Sequence, residues 1–212
     1  MLGILIIFSP SLFNSFLILL SLFAFTSVCM AEEYSAVSLG YTKHIAEDPH
    51  DSGGTTYFSD PEDNGFVVGI ALGKNSDGIS TEFETNYYSE VSQKLTSDVT
   101  VDVSTIASMF NVMATPGENE HYGIFGGGVG FGYSMVDTSY TSGGTTFNGD
   151  EGTFNFGYQL ILGLGSENYE VVFKHSNFGE VEGGSGTTSA GDTYNADEFD
   201  NVYNSIVLRI NY

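Results

Sequence analysis

The sequence predicts an all-β protein: an eight-stranded antiparallel up-and-down transmembrane β-barrel, preceded by an N-terminal signal peptide. Three observations predict it. Large apolar side chains recur at every second position in one segment after another, which is typical of strands whose two faces meet different surroundings. The connections between these segments are alternately long and short. The final seven residues repeat the alternation and place Ile206, Leu208, Ile210 and Tyr212 on one face.

The N-terminal segment 2–28 is the one long apolar stretch of the sequence. It is long enough for a transmembrane helix, which needs about 20 apolar residues, but Ser, Pro and Asn interrupt it and no stop-transfer charges follow. A secretory signal cleaved after Ala31 fits better, although its start has no Lys or Arg. A lipoprotein signal ending at Cys29 lacks the small residue that usually precedes the cysteine. We therefore predict a signal peptide over 1–31 and a barrel domain over 32–212.

Eight segments after residue 31 show the period-two pattern. In order they cover 36–42, 66–73, 81–87, 99–113, 125–135, 154–165, 169–174 and 206–212. On most of them one face is large and apolar, and the other is small, glycine-rich or charged. This fits a soluble β-sandwich with an apolar core, and equally a barrel whose apolar face contacts lipid around a narrow interior. Within the fourth segment, 106–110 also fits a turn of helix.

The lengths of the connections favour the barrel over the sandwich. Long or middling connections cover 44–64, 90–98, 137–152 and 178–200, and short turns between them cover 75–78, 114–121 and 166–168. Transmembrane barrels place short turns on one side of the membrane and long loops on the other. A Greek-key sandwich does not require long and short connections to alternate.

The net charge excludes one class of partner. The chain carries 27 acidic and 5 basic residues, a formal net charge of −22. Such a polyanion has no electrostatic basis for binding nucleic acid. Many of the acids fall in the long connections, where carboxylates could bind divalent cations, but no segment has the ligand spacing of an EF-hand. We interpret most of this charge as a solvated surface.

A second group of charges is expected inside the barrel. If the apolar faces contact lipid, the residues that face the lumen include Glu82, Glu84, Glu170, Lys174 and Arg209. Buried charges are tolerated when they are paired, so we predict ion pairs that join Arg209 and Lys174 to the glutamates. Such a network would plug the barrel; the alternative is a narrow gated ion pore.

Three segments resemble the small bacterial outer-membrane β-barrels, the family of the OmpA membrane domain, OmpX and the Opa adhesins. They are Ser38–Leu39–Gly40–Tyr41, Gly126–Gly127–Gly128–Val129–Gly130–Phe131–Gly132–Tyr133 and the terminal Ile206 to Tyr212. The resemblance implies a location in the bacterial outer membrane, with lipid and lipopolysaccharide around the barrel. It also implies insertion by the barrel assembly machinery, with Ile206, Leu208, Ile210 and Tyr212 as the C-terminal assembly signal.

The same resemblance implies a structural or adhesin-like role, in which four acidic extracellular loops make the contacts. Divalent cations or host surface ligands are the partners expected at those loops. No cofactor is predicted.

One short motif suggests an enzymatic alternative. His175–Ser176–Asn177 is similar to the His-x-Ser-Asn pattern of the lipid A deacylase, another eight-stranded barrel. A nucleophile and its base must lie within hydrogen-bonding reach, yet adjacent residues of a strand face opposite sides unless a bulge intervenes. We therefore predict no enzymatic activity, and a lipid A-modifying hydrolase is the weakest of the alternatives.

Overall fold

A computed structural model describes residues 32–50, 62–94, 99–116, 121–142, 145–182, 185–187, 193–195 and 198–212. The predicted signal peptide, 1–31, lies outside the described residues. No described residue belongs to a helix that is long and apolar enough to cross a membrane.

Eight long antiparallel strands close into a barrel, as predicted. They are β1 (Glu32–His50), β2 (Glu62–Ser76), β3 (Ile79–Lys94), β4 (Val99–Ala114), β5 (His121–Ser142), β6 (Thr145–Ser166), β7 (Tyr169–Glu182) and β10 (Glu198–Asn211). Each strand pairs with its neighbour in sequence, and β1 closes the barrel against β10. Two short strands, β8 (Ser185–Thr187) and β9 (Thr193–Asn195), form a separate hairpin.

Residues 106–110 form a regular part of β4, so the helical alternative for this segment is wrong. Ile106 pairs with Tyr87 on β3 and with Tyr133 on β5. The ladder on both sides satisfies the backbone hydrogen bonds that a helical turn would otherwise make. Alternation in this segment is weak because small residues occupy both faces.

The strands reach further than the sequence pattern predicted. The segment 137–152, expected to be a loop, forms the paired ends of β5 and β6, out to Ser142 opposite Thr145. Likewise β1 continues to His50 and β2 begins at Glu62. The extension of β5 and β6 is rich in Ser, Thr and Gly, and those of β1 and β2 are rich in charged residues. They therefore lack clear apolar alternation, but a sheet ladder satisfies their backbone groups equally well.

The two ends of the barrel differ. At one end, which we call the turn end, the strands meet in short connections, and Asp77 and Gly78 both have positive φ angles of 51° and 77°. An Asp-Gly pair with two positive φ angles is the type I′ hairpin turn that matches strand twist. The connections that follow β1, β3, β5 and β7 all lie at the opposite end, which we call the loop end. Only residues 95–98 separate β3 from β4 and only residues 143–144 separate β5 from β6, so these two connections are shorter than the sequence pattern predicted.

The bulky apolar side chains face outward, and the charged ones face the lumen. Phe156, Leu160 and Leu208 are 60%, 58% and 48% exposed, while Glu84 and Arg209 are 0% and 1% exposed. Outward apolar residues on every barrel strand form a continuous belt. A water-soluble protein would bury such a surface, so the soluble sandwich is wrong. The belt is the surface that a lipid bilayer covers.

Candidate functional site

The lumen next to the turn end contains an ion-pair cluster built on Arg209. Its guanidinium pairs with Glu82 through Nη2, and its Nη1 lies 3.2 Å from Glu170 Oε2. Two tyrosines complete the carboxylate contacts: Tyr34 donates to Glu82 at 2.9 Å and Tyr122 donates to Glu170 at 2.8 Å. One arginine is therefore shared by two glutamates.

A second ion pair lies one step further into the lumen. Lys174 binds Glu84, and both side chains are almost completely buried. Asn111 Nδ2 bridges the two levels, since it donates to Glu82 at 3.1 Å and to Glu84 at 3.3 Å. Gln159 donates to Glu84 at 3.2 Å and to Asn111 at 2.6 Å. The amides supply hydrogen bonds that the carboxylates would otherwise lack, as a buried charge requires.

The structure thus brings together all five lumen residues named from the sequence and adds two amides that sequence reasoning missed. Asn111 and Gln159 occupy inward positions of β4 and β6. The sequence did contain a signal for them, because each is a polar amide at an inward position of a predicted strand. Three carboxylates meet two cations in this cluster.

Above the ion pairs, three rings cross the lumen. Tyr88 and Tyr203 stack with centroids 4.2 Å apart, and Phe178 contacts them at 5.6 Å and 6.0 Å. All three are fully buried. The sequence pattern did not reveal this aromatic layer, because Phe178 and Tyr203 lie beyond the segments predicted as strands.

A hydrogen-bonded layer follows toward the loop end, centred on His44. Its Nε2–H donates to Asn201 at 2.8 Å and its Nδ1 accepts from Gln93 at 2.9 Å, so the neutral ring is satisfied on both sides. Asn201 donates in turn to Ser134 at 2.7 Å and to Thr105 at 3.0 Å.

His44 lies beyond the apolar belt on its own strand, where Tyr41 is an exposed aromatic residue of the belt. The outward neighbour of His44, Lys43, forms an ion pair with Glu62 rather than a lipid contact. Burial lowers the pKa of His44 to about 4, and the hydrogen bond to Asn201 and the charge of Asp63 oppose this shift only in part.

The loop end of the lumen is closed by apolar side chains. Each is at most 3% exposed, and the group comprises Ala46, Val91, Val101, Val103, Val136, Val181 and Phe199. Because these residues lie past the belt, the barrel has a core of its own outside the membrane. Ion pairs, aromatic layer, polar layer and apolar core together fill the described lumen from Glu170 to Phe199.

Among the described residues, the lumen has a cavity at the turn end. Its volume is about 490 Å³, and it is bounded by Tyr34, Ser80, Tyr122, Glu170 and Asn211 among others. Tyr34, Tyr122 and Glu170 belong to both the cavity wall and the cluster built on Arg209. Within the described residues, no group of three or more His, Cys, Asp or Glu side chains is arranged to hold a metal ion.

The terminal strand seals the barrel wall. Ile206 and Leu208 face outward in the belt, Ile210 is half-buried, and Tyr212 is 75% exposed at the turn end. Backbone hydrogen bonds between Tyr212 and Ser35, at 2.8 Å and 3.2 Å, extend the closing ladder to its last residue. The role of these four side chains as an assembly signal stays a prediction.

The structure does not bring His175 and Ser176 together. Ser176 points into the lumen, fully buried, and hydrogen-bonds Tyr88 at 3.3 Å. His175 points outward and hydrogen-bonds Asn204 at 2.9 Å. The two residues occupy opposite faces of β7, so they do not form a nucleophile–base pair.

Three carboxylates form a row on the outer face above the belt. Asp102 on β4 is directly opposite Asp137 on β5, and Asp137 is directly opposite Asp150 on β6. Directly opposed side chains lie about 5 Å apart at Cβ, and like charges there are destabilising. On β5 the row comes two residues after Met135, an exposed apolar residue of the belt.

No protein-family model matches the sequence, and no curated protein matches it. Among solved structures, the chain is similar to Ail, the attachment invasion locus protein of Yersinia pestis, with a TM-score of 0.54 and 12% identity over 85% of this chain and 99% of that one. The chain has the fold of the small bacterial outer-membrane β-barrels. It lies in the bacterial outer membrane, where barrels of this class have their short turns toward the periplasm and their long loops outside the cell.

Two further structures are similar at lower scores. Neisserial surface protein A has a TM-score of 0.48 and 10% identity, over 86% of this chain and 98% of that one. The outer membrane protein AlkL, solved in lipid bilayers, has a TM-score of 0.47 and 14% identity, over 88% and 93%. At such identities the likeness concerns the fold and not the activity.

Proposed function

We propose that this outer-membrane barrel is a surface-interaction protein: a plugged scaffold that presents acidic extracellular loops to the envelope or to a host surface. The observation that carries the proposal is the apolar core at the loop end. A barrel that merely spans the membrane needs no core beyond the belt. Here Val101, Val103 and Phe199, all fully buried, stabilise strand extensions outside the lipid, and rigid extensions position loops for recognition.

The filled lumen supports this role over transport. A pore needs a continuous aqueous path, and here the described lumen contains the Lys174–Glu84 pair and then the layer of Tyr88, Phe178 and Tyr203. To open a pore, the ion pairs and the stacked rings would have to separate at the same time. The gated pore is therefore the less supported alternative, and no feature of the described lumen favours it.

The position of the Asp102–Asp137–Asp150 row supports a contact with lipopolysaccharide. The row lies on the outer face just above the belt, where lipid phosphates lie. Hard divalent cations prefer oxygen ligands from carboxylates and phosphates. We propose that divalent ions bridge the row to lipopolysaccharide phosphates, which would complete the oxygen ligands of the ion.

Removal of one external hairpin tests the proposal. Replacing residues 141–146 with an Asn-Gly turn shortens the β5–β6 hairpin beyond Thr138, the ladder partner of Val101, and so keeps the apolar core. Parent and variant would be displayed in a Gram-negative host and scored for adhesion to epithelial monolayers and to immobilised lipopolysaccharide with Mg²⁺. We expect the variant to lose adhesion while keeping heat-modifiable gel mobility.

The matched control alters the opposite end of the barrel. Asp77→Asn changes a charge in the turn toward the periplasm and keeps the type I′ geometry, so adhesion should not change. If cells with the parent adhere no better than cells without it, on either surface, the surface-interaction role is wrong.

A further inference from the structure

At the loop end the barrel divides into two sheets. Among the described residues, the β2–β3 ladder ends at Val67 opposite Tyr88, and the β6–β7 ladder ends at Tyr158 opposite Asn177, although all four strands continue toward the loop end. The other six neighbouring pairs continue their ladders beyond these points. The strands therefore form two groups there: β3, β4, β5 and β6, which we call sheet I, and β7, β10, β1 and β2, which we call sheet II. Two seams separate the sheets.

None of the connections between the eight barrel strands joins the two sheets at the loop end. There β1 leads to β2, β3 to β4, β5 to β6 and β7 to β10, and each of these pairs lies within one sheet. The chain passes from one sheet to the other only at the turn end, through the β2–β3 turn and the β6–β7 turn. Separation of the sheets at the loop end therefore breaks non-covalent contacts alone.

The apolar core at the loop end is the main contact between the sheets. Sheet II contributes Ala46, Val181 and Phe199, and sheet I contributes the other four members. The core therefore fills the space between two sheets, as in a β-sandwich. In addition, β8, which belongs to the connection of sheet II, lies beside β6 of sheet I.

The polar layer joins the sheets through two side chains of sheet II. Asn201 donates to Ser134 and Thr105 of sheet I, at 2.7 Å and 3.0 Å. His44 accepts at Nδ1 from the amide of Gln93, also in sheet I, at 2.9 Å. The Gln93 amide nitrogen lies 3.4 Å from the carbonyl oxygen of His44 as well. Two acceptors therefore fix the NH₂ group of Gln93 toward His44.

Side chains take the place of the ladder at both seams. In each contact, a side chain of one strand bonds the backbone of its neighbour across the seam. The contacts are Phe66 N–H to Ser89 Oγ at 3.0 Å and Ser92 N–H to Asp63 Oδ2 at 3.1 Å between β2 and β3, and Asn155 Nδ2 to the carbonyl oxygen of Glu180 between β6 and β7. A seam without a continuous ladder opens more readily than the rest of the wall.

We propose that sheets I and II open at the loop end as two jaws, hinged where the ladders close the barrel, and that protonation of His44 favours the open form. In the closed form a proton on Nδ1 would face the NH₂ group of Gln93, donor against donor. The other groups around the ring are one charged residue on β2 and three residues on β10: Asp63, Phe199, Asn201 and Tyr203. Separation of the sheets removes Gln93 and exposes the ring to water. Opening and protonation therefore favour each other.

The two forms would present different surfaces to the outside of the cell. The closed form holds the external loops in fixed positions, as the surface-interaction role requires. The open form moves the loops that follow β3 and β5 away from those that follow β1 and β7, and it exposes the apolar core between them. Acid therefore switches this end of the barrel from a polar surface to one with an accessible apolar cleft.

Thiol labelling of single cysteines in the full chain tests the opening. Val103→Cys and Ala107→Cys, in a Cys29→Ser background, place a thiol at two inward positions of β4 that are 0% exposed. Val103 belongs to the core between the sheets, whereas Ala107 packs with the aromatic layer, where the ladders close the barrel. In lipid vesicles at pH 7, a water-soluble maleimide should label Val103→Cys at least about ten-fold faster than Ala107→Cys. Equal rates would mean that only global unfolding exposes either thiol, and would overturn the proposal.

A third cysteine tests whether the sheets separate as one unit. Val181→Cys lies on sheet II and is also 0% exposed in the parent. Relative to the same thiols in the urea-unfolded chain, it should be labelled at the same rate as Val103→Cys, because one opening exposes both. Fraying of single loops would label the two thiols at different rates and would contradict the jaws. Val136→Cys, in the same core, serves if Val103→Cys does not fold.

His44→Gln separates the trigger from the opening itself. Relative to the unfolded chain, labelling of Val103→Cys should rise about 20-fold from pH 7 to pH 5. The reason is that the ring binds a proton with a pKa of about 6.5 when hydrated and of about 4 in the closed form. The rise should be absent in His44→Gln, which removes the titrating ring and leaves the carboxylates of both sheets. A rise of the same size in His44→Gln would show that other groups drive the opening and would overturn the role of His44.

Discussion

The buried ion pairs of the lumen differ from the surface pairs of this chain in what their loss should cost. Lys174 and Glu84 are 2% and 0% exposed at their side chains, whereas the Lys43–Glu62 pair is 40% and 48% exposed. Removing one member of a buried pair leaves a charge that water cannot reach. Removing one member of an exposed pair leaves a hydrated charge. The same chemical change therefore has two expected outcomes in one molecule.

We expect Lys174→Met to lower the free energy of unfolding by about 3–5 kcal/mol, measured by urea titration in detergent micelles. Lys43→Met is the control and should cost less than about 1 kcal/mol. The double variant Glu84→Gln Lys174→Met should recover most of the loss, because a neutral amide still accepts from Asn111 and Gln159. A loss in Lys174→Met no larger than in Lys43→Met would show that the lumen pair is hydrated.

His44 should make stability depend on pH. The unfolded chain binds the proton with a pKa of about 6.5, and the folded chain with a pKa of about 4. Between these values the unfolded state binds more protons, so the folded state loses stability as pH falls from 6.5 toward 4, by about 3 kcal/mol in all. A protonated Nδ1 would also face the Gln93 amide as a second donor.

The comparison with His44→Gln isolates this residue from the many carboxylates that titrate near pH 4. The groups that face the ring are Gln93 on β3 and Asn201, Phe199 and Tyr203 on β10, and Asp63 on β2 adds a negative charge nearby. The stability difference between parent and variant should shrink as pH falls through this window and stay constant above it. A difference that is independent of pH from 7 to 4 would mean that the folded ring titrates normally.

The strand extensions at the loop end create the acidic row. The repulsion within the row lowers the stability of the sheet, because strand pairing brings the carboxylates together. Asp102, Asp137 and Asp150 repel one another across two strand pairs. We expect Asp137→Asn, at the centre, to stabilise the barrel by about 0.2–1 kcal/mol for each neighbour when divalent ions are chelated.

Glu90→Gln, at an exposed position outside the row, is the control and should have little effect. Added salt should reduce the gain from Asp137→Asn, because exposed charges are screened. If Mg²⁺ with lipopolysaccharide stabilises the parent but not Asp137→Asn, the proposed bridge gains direct support. If Mg²⁺ stabilises both equally, the row does not bind the bridging ion.

The filled barrel makes a prediction about conductance. The described lumen contains paired charges, stacked rings and an apolar core in sequence along its axis, so we expect no stepwise conductance when the protein is reconstituted in planar bilayers. Discrete steps in the parent, altered in size by Arg209→Ala or Glu82→Gln, would contradict the plugged scaffold and favour the ion pore. A heat-unfolded sample provides the baseline for leakage.

The alternation of side chains along one strand is a local property, so much of the fold could be inferred before any strand was paired. The period-two alternation, together with lipid as the outer medium, was enough to predict which charged residues face inward: Glu82, Glu84, Glu170, Lys174 and Arg209. The choice of lipid rested on the rhythm of long and short connections, which is also local. The sequence pattern did not predict the strand extensions, because Ser, Thr and Gly in β5 and β6 and charged residues in β1 and β2 show no clear apolar alternation.

Which inward residues meet is not local, because it depends on the register between strands that lie far apart in the chain. Closure of the barrel sets that register through the tilt and stagger of all eight strands. It places Arg209 between Glu82 and Glu170 and brings Phe178 and Tyr203 onto Tyr88. A shift of one residue would turn every one of these side chains to the lipid, and no single segment contains that information.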